Sequence, residues 1–331
     1  MSLTSTHHAG APPEARGLAR DQVRLLVATP TQLTDTVFHT LPSHLRAGDL
    51  LVVNTSGTLP AALDGFRRSG DPVVVHLAST LDDGTWLVEV RPPGRSSGPV
   101  TNVRVGERIT LPAQAHLTVL DTPPGQVRLH RGLLECGGPV TGLLERFGRP
   151  IAYGYVTDRW PLADYQTLFA TEPGSAEMPS AGRPFTARTI TDLARNGVLL
   201  APVLLHCGVS SPEGGEPPRP ERYRVPASTA ALIAHVRRGG GRIVAVGTTV
   251  TRALETTRGL AGAGWTDLML GPDTPAQVVN GLVTGWHEPG ASHLQLLRAV
   301  AGHDLVDRAY EEASARDYLW HEFGDSCLLL P

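Results

Sequence analysis

An interruption in the sequence pattern most constrains how this chain folds. Between about residues 65 and 150, short β-rich segments alternate with turns such as Asp82-Asp83-Gly84 and Pro123-Pro124-Gly125. Strands at this spacing, with no helical period of useful length between them, predict a small β-barrel or sandwich. After Pro150 the pattern becomes an alternation of helices and apolar strands, which is typical of an α/β domain.

Apolar runs on both sides of the β-rich block predict one sheet that the block interrupts. Leu50–Asn54 and residues 242–246 have the continuous apolar character of strands buried in parallel sheets. Helices are predicted at 185–196, 228–238, 249–256, 292–301 and 305–317. We therefore predict a barrel-like α/β domain with a mostly parallel sheet (21–64 and 151–331), an inserted β-barrel domain (65–150) and a disordered leader (1–20).

The charge and the cysteine content limit which partners and which cellular compartment we expect for this protein. The formal net charge is −3, which weakens the case for a large RNA ligand because nucleic-acid binders usually carry a basic excess. The three cysteines are isolated, so they indicate neither a disulfide framework nor a metal site. The apolar runs are too short to span a bilayer. We expect a cytoplasmic protein without a metal or a membrane partner, and the oligomeric state stays open.

A glycine-containing turn before a predicted helix carries two candidate site residues. Residues 171–175 read Thr-Glu-Pro-Gly-Ser, and such a turn forms a backbone N–H cradle for an anion or a sugar. Within it, Glu172 is a candidate general base and Ser175 a candidate cofactor ligand. A plain turn with a helix cap explains these residues about equally well.

A second turn, Gly247-Thr248-Thr249, follows a predicted strand and begins a helix. Two hydroxyls and several N–H groups point to one spot there. Arg252 follows one helical turn later, where a guanidinium can hold a carboxylate with two hydrogen bonds. Taken alone, a capped helix with a solvated arginine is the better explanation.

Single polar residues near the C-terminus are weaker signals. His287 follows a short strand and is a candidate for proton transfer, although a lone histidine is more often structural. Asp325 lies in a turn that it can cap. The sequence has no dinucleotide, P-loop or zinc-protease motif, and a Gly-x-Ser-x-Gly match at 94–98 lacks the helix that a hydrolase needs after it. The proline-rich segment 210–224 predicts a loop near the site.

Taken in order, these segments resemble the S-adenosylmethionine:tRNA ribosyltransferase-isomerase family of queuosine biosynthesis. The resemblance covers nearly the whole chain after residue 21. It is carried by Leu-Arg-Ala-Gly-Asp-Leu-Leu-Val-Val-Asn (45–54), Tyr-Gln-Thr-Leu-Phe-Ala-Thr-Glu-Pro-Gly-Ser (165–175), Arg-Ile-Val-Ala-Val-Gly-Thr-Thr (242–249), Gly-Leu-Val-Thr (281–284) and Phe-Gly-Asp (323–325).

The resemblance implies an α/β fold with an inserted β-barrel, and it implies a reaction. The family transfers the ribosyl part of S-adenosylmethionine, its co-substrate, to the aminomethyl group of a 7-deazaguanine in tRNA, releasing adenine and methionine. The residues expected on S-adenosylmethionine are Ser175, Gly247, Thr248, Thr249 and Arg252. Those expected in catalysis are Glu172 and His287, and those expected on the acceptor are Asn54, Arg183 and Asp325.

Departures from the family pattern keep other functions open. Residues 181–186 read Ala-Gly-Arg-Pro-Phe-Thr where the family usually has Ala-Gly-Leu-His-Phe-Thr, and the family's Asn-Asp-Thr-Arg becomes Asn-Thr-Ser-Gly at 54–57. The loop 207–221 lacks two further histidines of the family pattern. One alternative is a divergent paralogue that uses S-adenosylmethionine on a small-molecule acceptor. Another is a non-catalytic protein that binds the cofactor or an RNA.

Overall fold

The computed structural model describes residues 7–94, 98–209, 219–271, 273–288 and 292–331. Its strands are β1 (His7–His8), β2 (Arg24–Ala28), β3 (Leu33–Val37), β4 (Leu50–Asn54), β5 (Ser56–Thr58), β6 (Ala62–Phe66), β7 (Pro72–Thr80), β8 (Trp86–Arg91), β9 (Arg108–Thr110), β10 (His116–Asp121), β11 (Leu129–Glu135), β12 (Glu172–Ser175), β13 (Leu199–Leu205), β14 (Glu221–Val225), β15 (Ile243–Val246), β16 (Gly262–Thr266), β17 (Gly281–Gly285), β18 (Leu319–Trp320) and β19 (Ser326–Leu329). Its helices are α1 (Val140–Phe147), α2 (Ala187–Arg195), α3 (Ala227–Arg238), α4 (Thr248–Thr257), α5 (Ser292–Ala301) and α6 (His303–Ala315). The five predicted helices correspond to α2 through α6.

A nine-stranded sheet forms the α/β part, in the order β16-β14-β13-β4-β15-β17-β19-β2-β3. Its centre is parallel, because β4 pairs in parallel with β13 and β15, and β15 pairs in parallel with β17. Towards the edges the pairings are antiparallel, apart from the parallel pairing of β19 with β2. The predicted α/β class with parallel strands is confirmed, with antiparallel strands added at both edges.

The two faces of this sheet pack against different layers. On β4, Leu50 and Val52 belong to one hydrophobic core, and Leu51 and Val53 belong to the other. Helices α3 to α6 contribute to the first core, whereas α2 and the 3-10 turn Phe38–His44 contribute to the second. Because both faces are covered, the central strands are apolar throughout. The carboxyl ends of β4, β13, β15 and β17 lie at a common edge, where open α/β sheets bind ligands.

The inserted block forms a closed barrel of antiparallel strands in the order β10-β11-β8-β7-β6-β9, which confirms the predicted β-barrel. At Gly65 a Cβ atom would lie 2.8 Å from the carbonyl oxygen of Thr110, so only glycine allows β6 and β9 to approach this closely. The prediction of no helix in this block was wrong. Helix α1 follows the last strand and buries Leu143 and Leu144. The domain limits at 65 and 150 stay a prediction.

Residues 7–20 are ordered, which corrects the expectation of a disordered leader over this part of the chain. Strand β1 pairs in parallel with β18, and Ala9 is buried. Arg16 Nη2 donates to the carbonyl oxygen of Phe323 at 2.8 Å, and Glu14 forms an ion pair of 2.9 Å with Arg183. The polar side chains whose abundance favoured disorder thus form contacts with distant segments of the chain. Residues 1–6 lie outside the described residues.

Two further expectations concern segments that are described only in part. The predicted loop 210–224 is described from residue 219 onward, and there Glu221–Val225 forms β14 between β13 and β16. Residues 210–218 and the centre of the match at 94–98 lie outside the described residues. Within the described residues, no helix has both the length and the apolar character needed to cross a membrane.

Candidate active site

Three polar side chains meet where β5 pairs with β12, beside the carboxyl end of β13. The Oγ of Ser56 lies 2.6 Å from the Oγ of Ser175 and 2.7 Å from Nδ1 of His206. The Oγ of Ser175 also accepts the backbone N–H of Cys207 at 2.9 Å. Both serines are buried. The chain Ser175–Ser56–His206 therefore connects the backbone at Cys207 to an imidazole ring.

Hydrogen-bond accounting fixes the direction of this chain. Because Ser175 accepts from the backbone of Cys207, its own hydroxyl hydrogen has Ser56 as its one hydrogen-bond acceptor among the described residues. Ser56 then donates to Nδ1 of His206, which must be unprotonated. The neutral ring therefore carries its proton on Nε2, to which no described residue is hydrogen-bonded. The arrangement presents an N–H donor rather than a base.

The protonation state of His206 agrees with this tautomer. Burial lowers the pKa of His206, and it outweighs the neighbouring carboxylate of Glu172, which raises it. Because the pKa lies below the ordinary value, the ring is neutral at neutral pH. Gly174 supplies the space for the ring, since a Cβ there would lie 2.3 Å from Cε1 of His206.

Arg252, the predicted carboxylate ligand, is buried and already surrounded by acceptors. Its Nη1 pairs with the carboxylate of Glu221. Its Nη2 donates to the carbonyl oxygens of Thr266 and Arg219 at 3.0 and 3.1 Å, and its Nε donates to that of Leu268 at 3.2 Å. The guanidinium therefore joins α4 to β14 and β16.

Glu221, the partner of Arg252, was noted from the sequence only as the end of an altered loop. One carboxylate oxygen pairs with Arg252, and the other accepts the backbone N–H of Gly208 at 2.9 Å. Burial raises the pKa of Glu221 although Arg252 acts in the opposite direction. The pair fixes the chain directly after His206.

The Gly-Thr-Thr turn lies at the same sheet edge. Gly247 precedes α4 with a φ of +94°, a conformation that favours glycine, and a Cβ there would lie 3.3 Å from Ala181. Thr248 begins the helix and is buried, and Thr249 Oγ1 lies 3.5 Å from Nδ2 of Asn54. The first turn of α4 therefore lies next to Asn54.

Asn54 was predicted to bind the ribosyl acceptor. In the structure, both ends of its side-chain amide form hydrogen bonds with the backbone. Its Nδ2 donates to the carbonyl oxygen of Leu205 at 2.8 Å, and its Oδ1 accepts the N–H groups of Leu205 and Ser56 at 3.0 and 3.1 Å. It is 3% exposed. The side chain locks the ends of β4 and β13 and thereby sets the position of Ser56.

Glu172 and His287, the predicted catalytic residues, lie in different surroundings. Glu172 is on β12, half-exposed, and pairs with Arg224 at 2.6 Å. His287 Nε2 lies 3.2 Å from the Oγ1 of Thr284, and its ring stacks on that of His293 with centroids 4.4 Å apart. Burial, followed by the neighbouring His293, lowers the pKa of His287 well below its ordinary value. Both histidines in this stack are therefore neutral at neutral pH.

Arg183 and Asp325, the remaining residues expected to bind the ribosyl acceptor, line a small cleft whose described lining does not include the serine chain. Arg183 is buried and donates from Nε to the carbonyl oxygen of Asp164 at 2.9 Å, in addition to its ion pair with Glu14. Asp325 accepts the backbone N–H groups of Arg24 and Leu319, both at 2.8 Å. Both side chains connect distant parts of the chain in this structure.

Two tyrosine–carboxylate pairs were not found from the sequence, and one of them includes Glu322, which lines the cleft. Tyr153 donates its hydroxyl to Glu177, and Tyr155 donates to Glu322 at 2.5 Å. Burial raises the pKa of Glu322 to about 7. Because each carboxylate follows its tyrosine by 24 or 167 residues, no spacing pattern joins the partners of either pair.

One group of side chains has the spacing of metal ligands. Ligand atoms of His8, Glu288 and His321 all lie within 4.8 Å of one another. However, the two imidazole rings stack with centroids 4.6 Å apart and an interplanar angle of 21°. Their in-plane lone pairs run side by side instead of converging on one point, so the arrangement favours ring stacking.

Comparison with known proteins identifies the family. A family model described as queuosine biosynthesis protein matches residues 2–329. The chain belongs to this family. It is 37% identical over 328 residues to the S-adenosylmethionine:tRNA ribosyltransferase-isomerase of Symbiobacterium thermophilum, with 94% of each chain covered. The protein of the same name from Heliobacterium modesticaldum is 36% identical over 330 residues, again with 94% of each covered.

A solved structure agrees with this assignment. The crystal structure of S-adenosylmethionine tRNA ribosyltransferase from Thermotoga maritima aligns with a TM-score of 0.54 and 29% identity. The alignment covers all of this chain and 99% of the other. The family pattern shows which feature the altered motif at 54–57 retains. Ser56 stands where the family pattern has threonine, so the hydroxyl that contacts His206 is kept.

Proposed function

We propose that this chain is an S-adenosylmethionine:tRNA ribosyltransferase-isomerase that transfers the ribosyl group of S-adenosylmethionine to an aminomethyl-deazaguanine in tRNA. The observation that carries the proposal is the chain Ser175–Ser56–His206, which ends in a neutral imidazole whose Nε2–H is not hydrogen-bonded to any described residue. Ser175 lies within a segment that the chain shares with the family, and the three residues lie at the sheet edge where ligands bind. The names of the relatives supply the substrate class.

The reaction needs a proton acceptor and a hydrogen-bond donor in one place. The sulfonium of S-adenosylmethionine acidifies the C5′ hydrogens of its ribose, and we assign Glu172 as the base that accepts a C5′ proton. Nε2–H of His206 donates to the negative charge that develops as adenine leaves. A neutral imidazole suits this role, because Nδ1 accepts from Ser56 and thereby orients the ring while Nε2–H donates.

The methionine carboxylate of S-adenosylmethionine is assigned to the start of α4. The N–H groups of Thr248 and Thr249 and the positive end of the helix dipole favour an anion there. Arg252 becomes a positioning residue in this proposal, since its donors face Glu221 and three carbonyl oxygens. It holds the segment after His206 while the helix start binds the carboxylate.

Adenine release tests the proposed function. The protein is incubated with S-adenosylmethionine alone, with precursor tRNA that carries the aminomethyl-deazaguanine, and with the free aminomethyl-deazaguanine base. Release of adenine and methionine only with the tRNA is the expected result. Release with the free base instead would make the protein a small-molecule transferase. Binding of S-adenosylmethionine without any release would identify a non-catalytic member.

Gly174 provides a sharper test of the His206 geometry. In Gly174→Ala the new Cβ would lie 2.3 Å from Cε1 of His206, so the ring must rotate away and lose its contact with Ser56. We expect kcat to fall by roughly 100-fold, the scale that a displacement of about 1 Å costs a catalytic group. Steady-state adenine release measures this effect.

Gly57→Ala is the matched control on the partner strand. A Cβ at Gly57 would have 3.5 Å as its shortest contact, an ordinary van der Waals distance. We expect its kcat to stay within about twofold of the wild-type value, since a conservative change without a clash usually has a small effect. Equal losses in both variants would contradict the assigned role of the ring position.

A further inference from the structure

A cavity of about 180 Å³ lies between the barrel and the segment that leads back to the α/β sheet. Its lining includes His76 and Arg91 from the barrel, and Arg149, Arg159, Trp160 and Tyr165 from the returning segment. The volume is at least ten times the roughly 10–15 Å³ that one water molecule needs. The cavity therefore has room for a charged chemical group and not only for solvent.

The charged side chains that line the cavity share one sign. Among the described residues, the lining contains three arginines and no aspartate or glutamate. Arg91 pairs with Glu89 at 3.1 Å and Arg149 pairs with Asp64 at 2.6 Å, and neither carboxylate lines the cavity. Arg159 is exposed and has no hydrogen bond or ion pair with any described residue. In a chain with a net charge of −3, this is a local excess of positive charge.

Flat and polar surfaces of the lining favour a particular kind of anion. Trp160 lines the cavity, and its indole Nε1 is buried without a hydrogen-bond partner among the described residues. An indole N–H can only donate, so it calls for an acceptor. Arginine beside an indole is the combination that holds a phosphate and stacks on a base in single-stranded nucleic acids.

We propose that this cavity binds a phosphate-bearing nucleotide, with Arg91, Arg149 and Arg159 around the phosphate and Trp160 against the base. The assignment of this nucleotide to the RNA substrate rests on the proposed function. A free mononucleotide offers the same chemistry, and the experiment separates the two sources. The described lining of the cavity includes none of residues 247–249, so the cavity is distinct from the site at the start of α4.

Arg159→Ala tests the proposal in the full-length protein. Precursor tRNA and AMP are the probes, and their affinities are measured by fluorescence anisotropy and calorimetry over a series of salt concentrations. We expect tRNA affinity to fall by roughly tenfold, as for the loss of a hydrogen bond to a charged group. The slope of log K against log salt should shrink by about 0.7 to 0.9, the effect of one phosphate contact. The affinity for S-adenosylmethionine should not change.

Arg188→Ala is the matched control, because its side chain on α2 is 84% exposed and does not line the cavity. It should leave both affinities and the salt slope unchanged. AMP binding that depends on Arg159, without tRNA binding, keeps the cavity assignment and contradicts tRNA as the substrate. Wild-type affinities in Arg159→Ala overturn the proposal, and so does a wild-type protein that binds neither probe. A loss of S-adenosylmethionine affinity in the variant also overturns it.

Discussion

Replacing His206 by phenylalanine is expected to lower kcat by about 100- to 1,000-fold, as for the removal of one positioned hydrogen-bond donor from a catalytic site. The phenyl ring fills the same space beside Gly174 but has no N–H and cannot accept from Ser56. The affinity for S-adenosylmethionine should change little, because the start of α4 is untouched. Adenine release in single turnover measures the loss directly.

His206→Gln separates a donor from a base. A glutamine side chain offers an amide N–H but has no basic nitrogen, so it should restore part of the activity that phenylalanine loses. If His206 were the base, glutamine and phenylalanine would be equally inactive. Glu172→Gln, which removes the proposed base, should be at least as impaired as His206→Phe.

The pH dependence follows from the lowered pKa of His206. As the pH falls through this pKa, Nδ1 becomes protonated and can no longer accept from Ser56, so the chain of hydrogen bonds breaks. The acid limb of the kcat profile should therefore lie below about 6.5, the ordinary histidine value. This limb should disappear in His206→Gln. An acid limb that persists unchanged in that variant would assign it to another group.

Local signals in the sequence were sufficient for the central sheet and its helices. The continuous apolar run of β15 and the hydroxyl of Thr186, which caps α2 by accepting the N–H of Thr189, act within a few residues. Helix α1 was missed because it has only 8 residues and contains Gly142, so its helical period is too short to recognise. The ordered N-terminal segment was missed because its partners, such as Phe323, lie at the other end of the chain.

The site was harder to predict, because its residues are far apart in the sequence and the pairing of strands brings them into contact. Ser175 was named from its turn, but Ser56 precedes it by 119 residues, and only the parallel pairing of β5 with β12 brings them together. His206 directly follows β13 and could have been selected from the apolar run that precedes it. Arg252 was expected to face a ligand, and a sequence cannot indicate that Glu221 already neutralises it.

The barrel contains a buried carboxylate whose loss should have the largest effect on stability. Glu89 on β8 is fully buried. It contacts Arg128 at 2.8 Å, Arg91 at 3.1 Å and His76 at 3.3 Å. Burial alone would raise the pKa of Glu89, but the contacts with His76 and Arg128 and the charge of Arg91 lower the pKa to about 2. One ionised carboxylate thus holds two buried guanidiniums.

Glu89→Gln is expected to lower the free energy of unfolding by about 3–5 kcal/mol at pH 7, because it removes one partner from a buried charge cluster. Urea denaturation measures this, and Glu135→Gln, at an exposed position of the same barrel, should cost less than about 0.5 kcal/mol.

The folded pKa lies below the ordinary 4.5, so the contribution of Glu89 is fully present above pH 4.5 and is lost as the pH falls towards 2. The difference between wild type and variant should therefore narrow over that interval. If the difference in unfolding free energy between wild type and variant does not change with pH, the cluster stabilises the barrel through its shape and not through its charge.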